Sequence, residues 1–242
     1  MTTSESSAPR IAAIFDLDGT LCRGHVWRGL ARTVKEHKFN RRHYYAFMVT
    51  HAARWIASKL GLLSSERFHH SGGRGAAMLL QDLFEETAES VFYEILYNEL
   101  LPTLRDDVVK VLRWHQERGH LVVLVSGGFQ GVLELVGKEL GITHIVGSQL
   151  EISDEYLTGE LAGPFCFGES KADLLKAYIA ANGLSVDWSR SFAYADRIYD
   201  RYVMDLVGLP VAVYPDDDLL DLAEAKGWHI IESEGDDDLD GR

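Results

Sequence analysis

Hydrophobic positions in this chain fall into two patterns. Short apolar runs are closed by Gly or Asp, and longer stretches carry an apolar residue every three or four positions. The first pattern predicts buried strands and the second predicts helices packed against them. The opening run, Ile11 to Phe15, is too short for a typical helix and stops at Asp16-Leu17-Asp18-Gly19-Thr20. Helical patterns then fill residues 25–38, 41–60 and 76–100. From Thr103 the order is helix, strand (121–125), helix, strand (144–147) and a polar hairpin over 150–161. A helix from 169 to 182, a strand ending at Asp196, a short helix, a strand at 210–214, a helix and a strand at 229–231 complete it. Alternation of this kind predicts an α/β fold with a parallel sheet covered on both faces. The helical block 22–101 reads as an insertion directly after the first strand. The expected plan is a core of 10–21 and 102–232, a helical cap of 22–101, and disordered polar tails at 1–9 and 233–242.

Candidate chemistry sits where the predicted strands end. Side chains at i and i+2 of a strand share a face, so Asp16 and Asp18 should project together beyond the carboxyl edge of the sheet. That edge is where open α/β sheets bind ligands. Two carboxylates this close repel unless a cation or a shared proton separates them. The pair suits one nucleophile and metal ligand beside one proton carrier. A second strand ends in Ser126-Gly127-Gly128-Phe129 before a helix, which offers a hydroxyl and free N–H groups to an anion. Lys171 stands in the first turn of a helix, where the dipole disfavours a cation, and this hints at an anionic partner. A third strand ends in Asp196, with Asp200 four residues on; carboxylates suit a hard cation such as Mg²⁺.

In order and spacing these four segments resemble the haloacid dehalogenase-like (HAD) phosphohydrolases, in particular the phosphoserine-phosphatase-like branch, subfamily IB. The likeness runs from about Arg10 to Glu232 and takes in Cys166-Phe167-Gly168-Glu169-Ser170-Lys171 and Val207-Gly208-Leu209-Pro210. It implies a Rossmann-like parallel-sheet core with a helical cap inserted after the first strand, and a Mg²⁺-dependent phosphatase acting on a small phosphomonoester. Asp16 would then be the nucleophile and Asp18 the general acid–base. Ser126 and Gly127 would hold the phosphoryl oxygens, with Lys171 neutralising charge. Asp16, the Asp18 carbonyl and Asp196 would ligate Mg²⁺, and Asp200 would orient a metal-bound water. The chain departs from the family pattern at Arg197 and Tyr199, where small residues are usual, and at His25, where phosphoserine phosphatases carry Glu. Those three, with Arg28, are candidate substrate contacts, and His25 argues against phosphoserine. The competing expectations are a HAD-fold binding or regulatory protein whose site Arg197 and Tyr199 block, a phosphotransferase, or a lipid-headgroup phosphatase.

Charge sharpens the picture of the substrate. The chain is −13 overall, yet residues 22–75 carry eleven Lys or Arg against Glu36 and Glu66, a segment of +9. A basic cap would draw in a small anionic phosphorylated substrate, or rest peripherally on anionic lipid, unless its basic face is merely solvated. Aromatic and apolar residues such as Tyr44, Tyr45, Phe47, Met48, Trp55 and Ile56 are interleaved with those charges. The net negative charge argues against nucleic acid as the main partner. Cys22 and Cys166 are too few for a disulfide framework or zinc site. No apolar run is long enough to span a membrane, and residues 1–9 lack a signal-peptide core, so a cytoplasmic setting is the expectation. His51, His69 and His70 lack partners at metal-ligand spacing and read as surface or packed side chains. Ser71-Gly72-Gly73-Arg74-Gly75 reads as a flexible loop between cap helices.

Overall fold

A computed structural model describes residues 8–232, without the side chains at 65, 66, 68 and 69. The expected tails lie outside the described residues except for Ala8 and Pro9, and so does the side chain of His69. The strands are β1 (Ala12–Phe15), β2 (Leu121–Phe129), β3 (His144–Ser148), β4 (Leu150–Ser153), β5 (Tyr156–Leu161), β6 (Phe192–Ala195), β7 (Leu209–Val213) and β8 (His229–Ile231). Six of them form one parallel sheet in the order β3-β2-β1-β6-β7-β8, and β4 and β5 make an antiparallel hairpin. The helices are α1 (Val26–His37), α2 (Arg41–Lys59), α3 (Ser65–Ala76), α4 (Glu85–Ile95), α5 (Asp106–Glu117), α6 (Gln130–Leu140), α7 (Glu169–Ala181), α8 (Arg201–Met204) and α9 (Asp217–Lys226).

Strand β1 lies inside the sheet, and its alternation feeds two cores. Ala13 and Phe15 pack on one face with residues of α1, α4, α5 and α6. Ala12 and Ile14 pack on the other with α7, α8 and α9. Both faces are therefore apolar, which is why the run reads as continuous rather than alternating. From β1 the chain goes on to β2 on one side and later to β6 on the other, so a crevice opens at the carboxyl ends of these strands.

The helical block differs from expectation in two places. The single helix expected over 76–100 is broken: a 3₁₀ turn (Ala77–Leu80) is followed by an interruption, then α4, then a π-helical turn (Leu96–Leu100). The interruption exists because β5 takes its backbone bonds. Leu157 N–H donates to Leu83 O at 2.9 Å, Asp82 N–H donates to Leu157 O at 2.8 Å, and Asp82 turns the chain at φ 61°. The hairpin thus clasps the helical block from the sheet side.

The glycine-rich stretch expected to be a loop is instead the last part of α3. Each glycine costs a helix about 1 kcal/mol relative to Ala, so packing must favour the bare backbone. A Cβ on Gly73 would stand 2.0 Å from Phe165 Cζ, one on Gly72 3.4 Å from His51, and one on Gly75 3.4 Å from Phe47. Aromatic rings rest on the glycine backbone. Helix α2 buries only Phe47 and leaves Val49, Trp55 and Ile56 exposed. No helix among the described residues is long and apolar enough to cross a membrane.

Under β1 lies a buried polar chain. His115 of α5 is fully buried, with Nε2 2.8 Å from the Tyr194 hydroxyl and Nδ1 2.7 Å from His120 Nδ1. Burial, then the neighbouring His120 and Arg118, pushes the His115 pKa down to about 3 from 6.5. Between those values the unfolded chain takes up a proton that the native chain refuses, so stability is lost as pH falls through that window. In urea melts, wild type should lose more stability from about pH 7 to about pH 5 than His115→Gln does. Equal losses would remove His115 as the source.

Candidate active site

Asp16 follows β1 and continues its ladder, its N–H donating to Tyr194 O at 3.0 Å. The chain then turns sharply. Gly19 adopts φ 93°, and a Cβ there would stand 2.1 Å from Asp196 Oδ2, so only glycine lets this turn reach the neighbouring strand end. Leu17 points into the core while Asp16 and Asp18 both line one cavity, as their period-2 spacing predicts.

Asp18 also reaches the helical block. Both of its carboxylate oxygens lie 3.2 Å from the N–H of Val26, the first residue of α1, whose N-cap His25 makes no side-chain cap. Burial first, and then the Asp16 charge, pushes the Asp18 carboxyl up to about 8, against the opposing pull of the Val26 N–H. Part of the carboxyl still faces the cavity, its side chain being 23% exposed.

Strand β2 runs four residues beyond its expected end, because Phe129 re-pairs with Ser148 after a register shift. Ser126 and Gly127 therefore sit in an irregular strand end just before α6. Ser126 is buried and its Oγ accepts from Gly128 N–H at 3.3 Å. Ser148 steadies the segment, donating to Gly127 O at 3.0 Å and accepting from Cys166 N–H at 3.2 Å.

Lys171, in the first turn of α7, is buried and directed at carboxylates. Its Nζ lies 2.6 Å from Asp16 Oδ1 and 2.5 Å from Asp200 Oδ1. Burial opposes its charge, but Asp16 and Asp200 outweigh burial and hold the pKa above the ordinary lysine range. Asp16, Asp196 and Asp200 offer carboxylate oxygens within 4.8 Å of one another, all buried. Burial, then Asp16 and Asp200, raises the Asp196 pKa well above the usual carboxylate range. Asp200 is pushed up to about 6 by burial, even though Lys171 pulls it down. A concave, all-oxygen set of like charges, in which Asp196 and Asp200 have raised proton affinity, fits a hard divalent cation.

Arg197 does not stand free. It donates from Nε to Asp196 Oδ2 at 3.0 Å, and its Nη1 lies 3.6 Å from Asp216 Oδ2. Half of the side chain remains exposed, and it lines the cavity beside Tyr199. Thr20, to which the sequence reading gave no role, donates to Asp196 Oδ1 at 3.4 Å. Its place in the D-x-D-x-T run was the available clue.

All of the sequence-selected site residues line this cavity of about 280 Å³. His25 is held neutral: burial, then Arg28 and Arg197, pushes its pKa down to about 4. Of the eleven cations in segment 22–75 only Arg28 reaches the lining, 5.5 Å from the Trp27 ring. Sequence reading missed most of the wall. Trp27, Phe47, His51, Phe165 and Phe167 line it, and no local pattern distinguishes these aromatics from core residues.

The chain matches the haloacid dehalogenase-like hydrolase family over residues 13–205. It belongs to that family. The hydrolase is 30% identical to phosphoserine phosphatase SerB1 of Mycobacterium tuberculosis, over 90% of this chain and 70% of that protein. It is 28% identical to a histidinol-phosphatase of Neisseria meningitidis, over 90% of this chain and 97% of that one. In fold it resembles a protein of unknown function from Bordetella pertussis, with TM-score 0.77, 24% identity and coverage of 93% and 99% of the two chains. The likeness to SerB1 places the hydrolase with the phosphoserine-phosphatase-like branch.

Glycine packing at the roof of the site is directly testable. Gly73→Ala should destabilise the hydrolase by about 1–3 kcal/mol, because its methyl overlaps Phe165. Gly72→Ala meets only ordinary contact and should stabilise by up to about 1 kcal/mol through helix propensity. Urea unfolding of both variants checks this. Equal stabilisation by the two changes would contradict the packing described.

Proposed function

We propose that this phosphatase uses Mg²⁺ to hydrolyse a small anionic phosphomonoester through an aspartyl-phosphate on Asp16. The observation that carries the reading is the pairing of Asp16, held 2.6 Å from the Lys171 ammonium, with an Asp18 whose carboxyl is pushed up to about 8. Asp16, paired with the Lys171 ammonium, serves as the nucleophile, and its neighbour Asp18 keeps a proton near neutrality. That division of labour is what acid–base catalysis at a phosphoryl centre needs.

Asp16 attacks phosphorus and Asp18 gives its proton to the departing oxygen. Asp18, now a carboxylate, takes a proton from the water that cleaves the aspartyl-phosphate. The Ser126 hydroxyl and the N–H groups around Gly127 receive the phosphoryl oxygens, and Lys171 offsets charge on Asp16 and on the transferred group. Asp16, Asp196 and the Asp18 carbonyl would hold Mg²⁺, with Asp200 beside them as a supporting carboxylate. The bound cation would supply positive charge against the carboxylates and phosphoryl oxygens. His25, Arg28, Arg197 and Tyr199 would contact the leaving group. Residues 22–101 act as a cap over a core of 10–21 and 102–232, excluding water from the reaction. Acceleration of phosphomonoester hydrolysis reaches about 10²¹, whereas one acid–base pair supplies about 10²–10⁴, so the electrostatic set must supply much of the rest.

The competing reading, a non-catalytic binding protein, is favoured by one contact: Arg197 occupies an oxygen of Asp196. A phosphate-release panel with Mg²⁺, run beside Asp16→Asn, separates the two. Wild type should release phosphate, and Asp16→Asn should fall to background while still unfolding cooperatively in urea, since Asp200 continues to pair Lys171. Wild-type release no greater than that of the variant, across the panel, would favour the binding protein. Arg197→Ser should lower the Mg²⁺ concentration needed for half-maximal rate if Arg197 competes for Asp196; an unchanged requirement would show that it does not.

A further inference from the structure

The cavity wall beyond the catalytic carboxylates is built of rings. On the α1–α3 side, Trp27 and His51 have centroids 5.8 Å apart, and His51 stacks on Phe47 at 5.4 Å. On the sheet side, Phe165 stacks on Phe167 at 5.7 Å, and Phe167 meets Tyr199 at 5.0 Å. Gly72 and Gly73 bring the two sets together, one backed by His51 and the other by Phe165. All these residues line the same cavity as Asp16 and Asp18.

The charges around this space are as selective as the rings. Among the described residues, no carboxylate lines it except Asp16, Asp18, Asp196 and Asp200, all gathered at the phosphoryl end. Arg28 and Arg197 are the remaining charged groups among the described lining residues besides Lys171, and both are cations. An ammonium on the leaving group would find repulsion and no carboxylate of its own. At about 280 Å³ the cavity lies at the lower edge of small-molecule sites, enough for a phosphoryl group and a compact ring rather than a long chain.

We propose that the substrate's leaving group is a flat aromatic ring without an ammonium group, stacked between the Trp27–His51–Phe47 wall and the Phe165–Phe167–Tyr199 wall. This rests on the phosphatase reading and narrows it to aryl-methyl-type phosphomonoesters. Stacking discriminates a flat ring from a puckered one of equal size, whereas plain apolar burial does not.

The test compares benzyl, cyclohexylmethyl and n-butyl phosphates, whose alcohols are of similar acidity, with the full chain in Mg²⁺. The expected kcat/KM for benzyl phosphate exceeds that for cyclohexylmethyl phosphate by roughly tenfold, with n-butyl phosphate lower still. In Trp27→Leu and Phe167→Leu the benzyl to cyclohexylmethyl ratio should fall toward one. Thermal shift with benzylphosphonate and cyclohexylmethylphosphonate gives a readout that needs no turnover, and the benzyl compound should give the larger shift. Hydrolysis of all three esters with equal efficiency overturns the ring site and leaves the phosphatase intact. A ratio that persists in both variants also overturns it. If none is hydrolysed, the phosphonate shifts decide alone: a larger shift with the benzyl compound upholds the ring site and equal shifts overturn it, while the phosphatase reading is judged by the phosphate-release panel.

Discussion

Like charge held out of water is the constraint on which this structure turns. Asp16, Asp196 and Asp200 are all buried, with oxygens within 4.8 Å of one another. Buried carboxylates without compensation are costly. Lys171 answers two of them directly, and Arg197 answers the third from a half-exposed position. The rest of the local architecture serves to make that arrangement possible. Adjacent parallel strands β1 and β6 end side by side, Gly19 gives up its side chain to let Asp196 approach, and α7 begins where Lys171 can enter. Three acids against two cations, one of them half-exposed, make a cluster that could hold a divalent cation.

The same carboxylate edge is mechanically tied to the helices above it. Asp18 accepts the first N–H of α1, so the orientation of that helix and the environment of the acid are set together. On the far side the β4–β5 hairpin bonds to residues 82–85, and Phe165 seats against the glycine face of α3. Burial under the helical block raises the proton affinity of Asp18, and the first N–H of α1 opposes it. Local packing and proton chemistry are one system here.

What was legible in the sequence was whatever depends on a few adjacent residues. A short apolar run ending in Asp16-Leu17-Asp18 fixes strand, turn and the common face of two acids; Ser126-Gly127 and Asp196 announce themselves at strand ends in the same way. Lys171 was readable because a cation in a first helical turn is out of place. What was hidden depends on residues far apart in the chain. Gly72, Gly73 and Gly75 read as a loop because glycine disfavours helix, and only Phe165, Phe47 and His51 supply the packing that reverses the preference. The break at Asp82 comes from Leu157, and Asp216 engages Arg197 across a strand crossover. The basic composition of residues 22–75 suggested a cationic mouth, yet only Arg28 turns inward. Charge counts do not say which face of a helix looks at the site.

The central claim is that the carboxylate cluster is built for a cation, and thermal unfolding in chelator and in Mg²⁺ measures it without any substrate. A cation bound only by the native chain raises the midpoint by mass action. Wild type should unfold at a higher temperature in Mg²⁺ than in chelator. Asp196→Asn, with one like charge removed, should match or exceed wild type in chelator and gain little from Mg²⁺. A wild-type midpoint that is the same in both conditions would contradict the account.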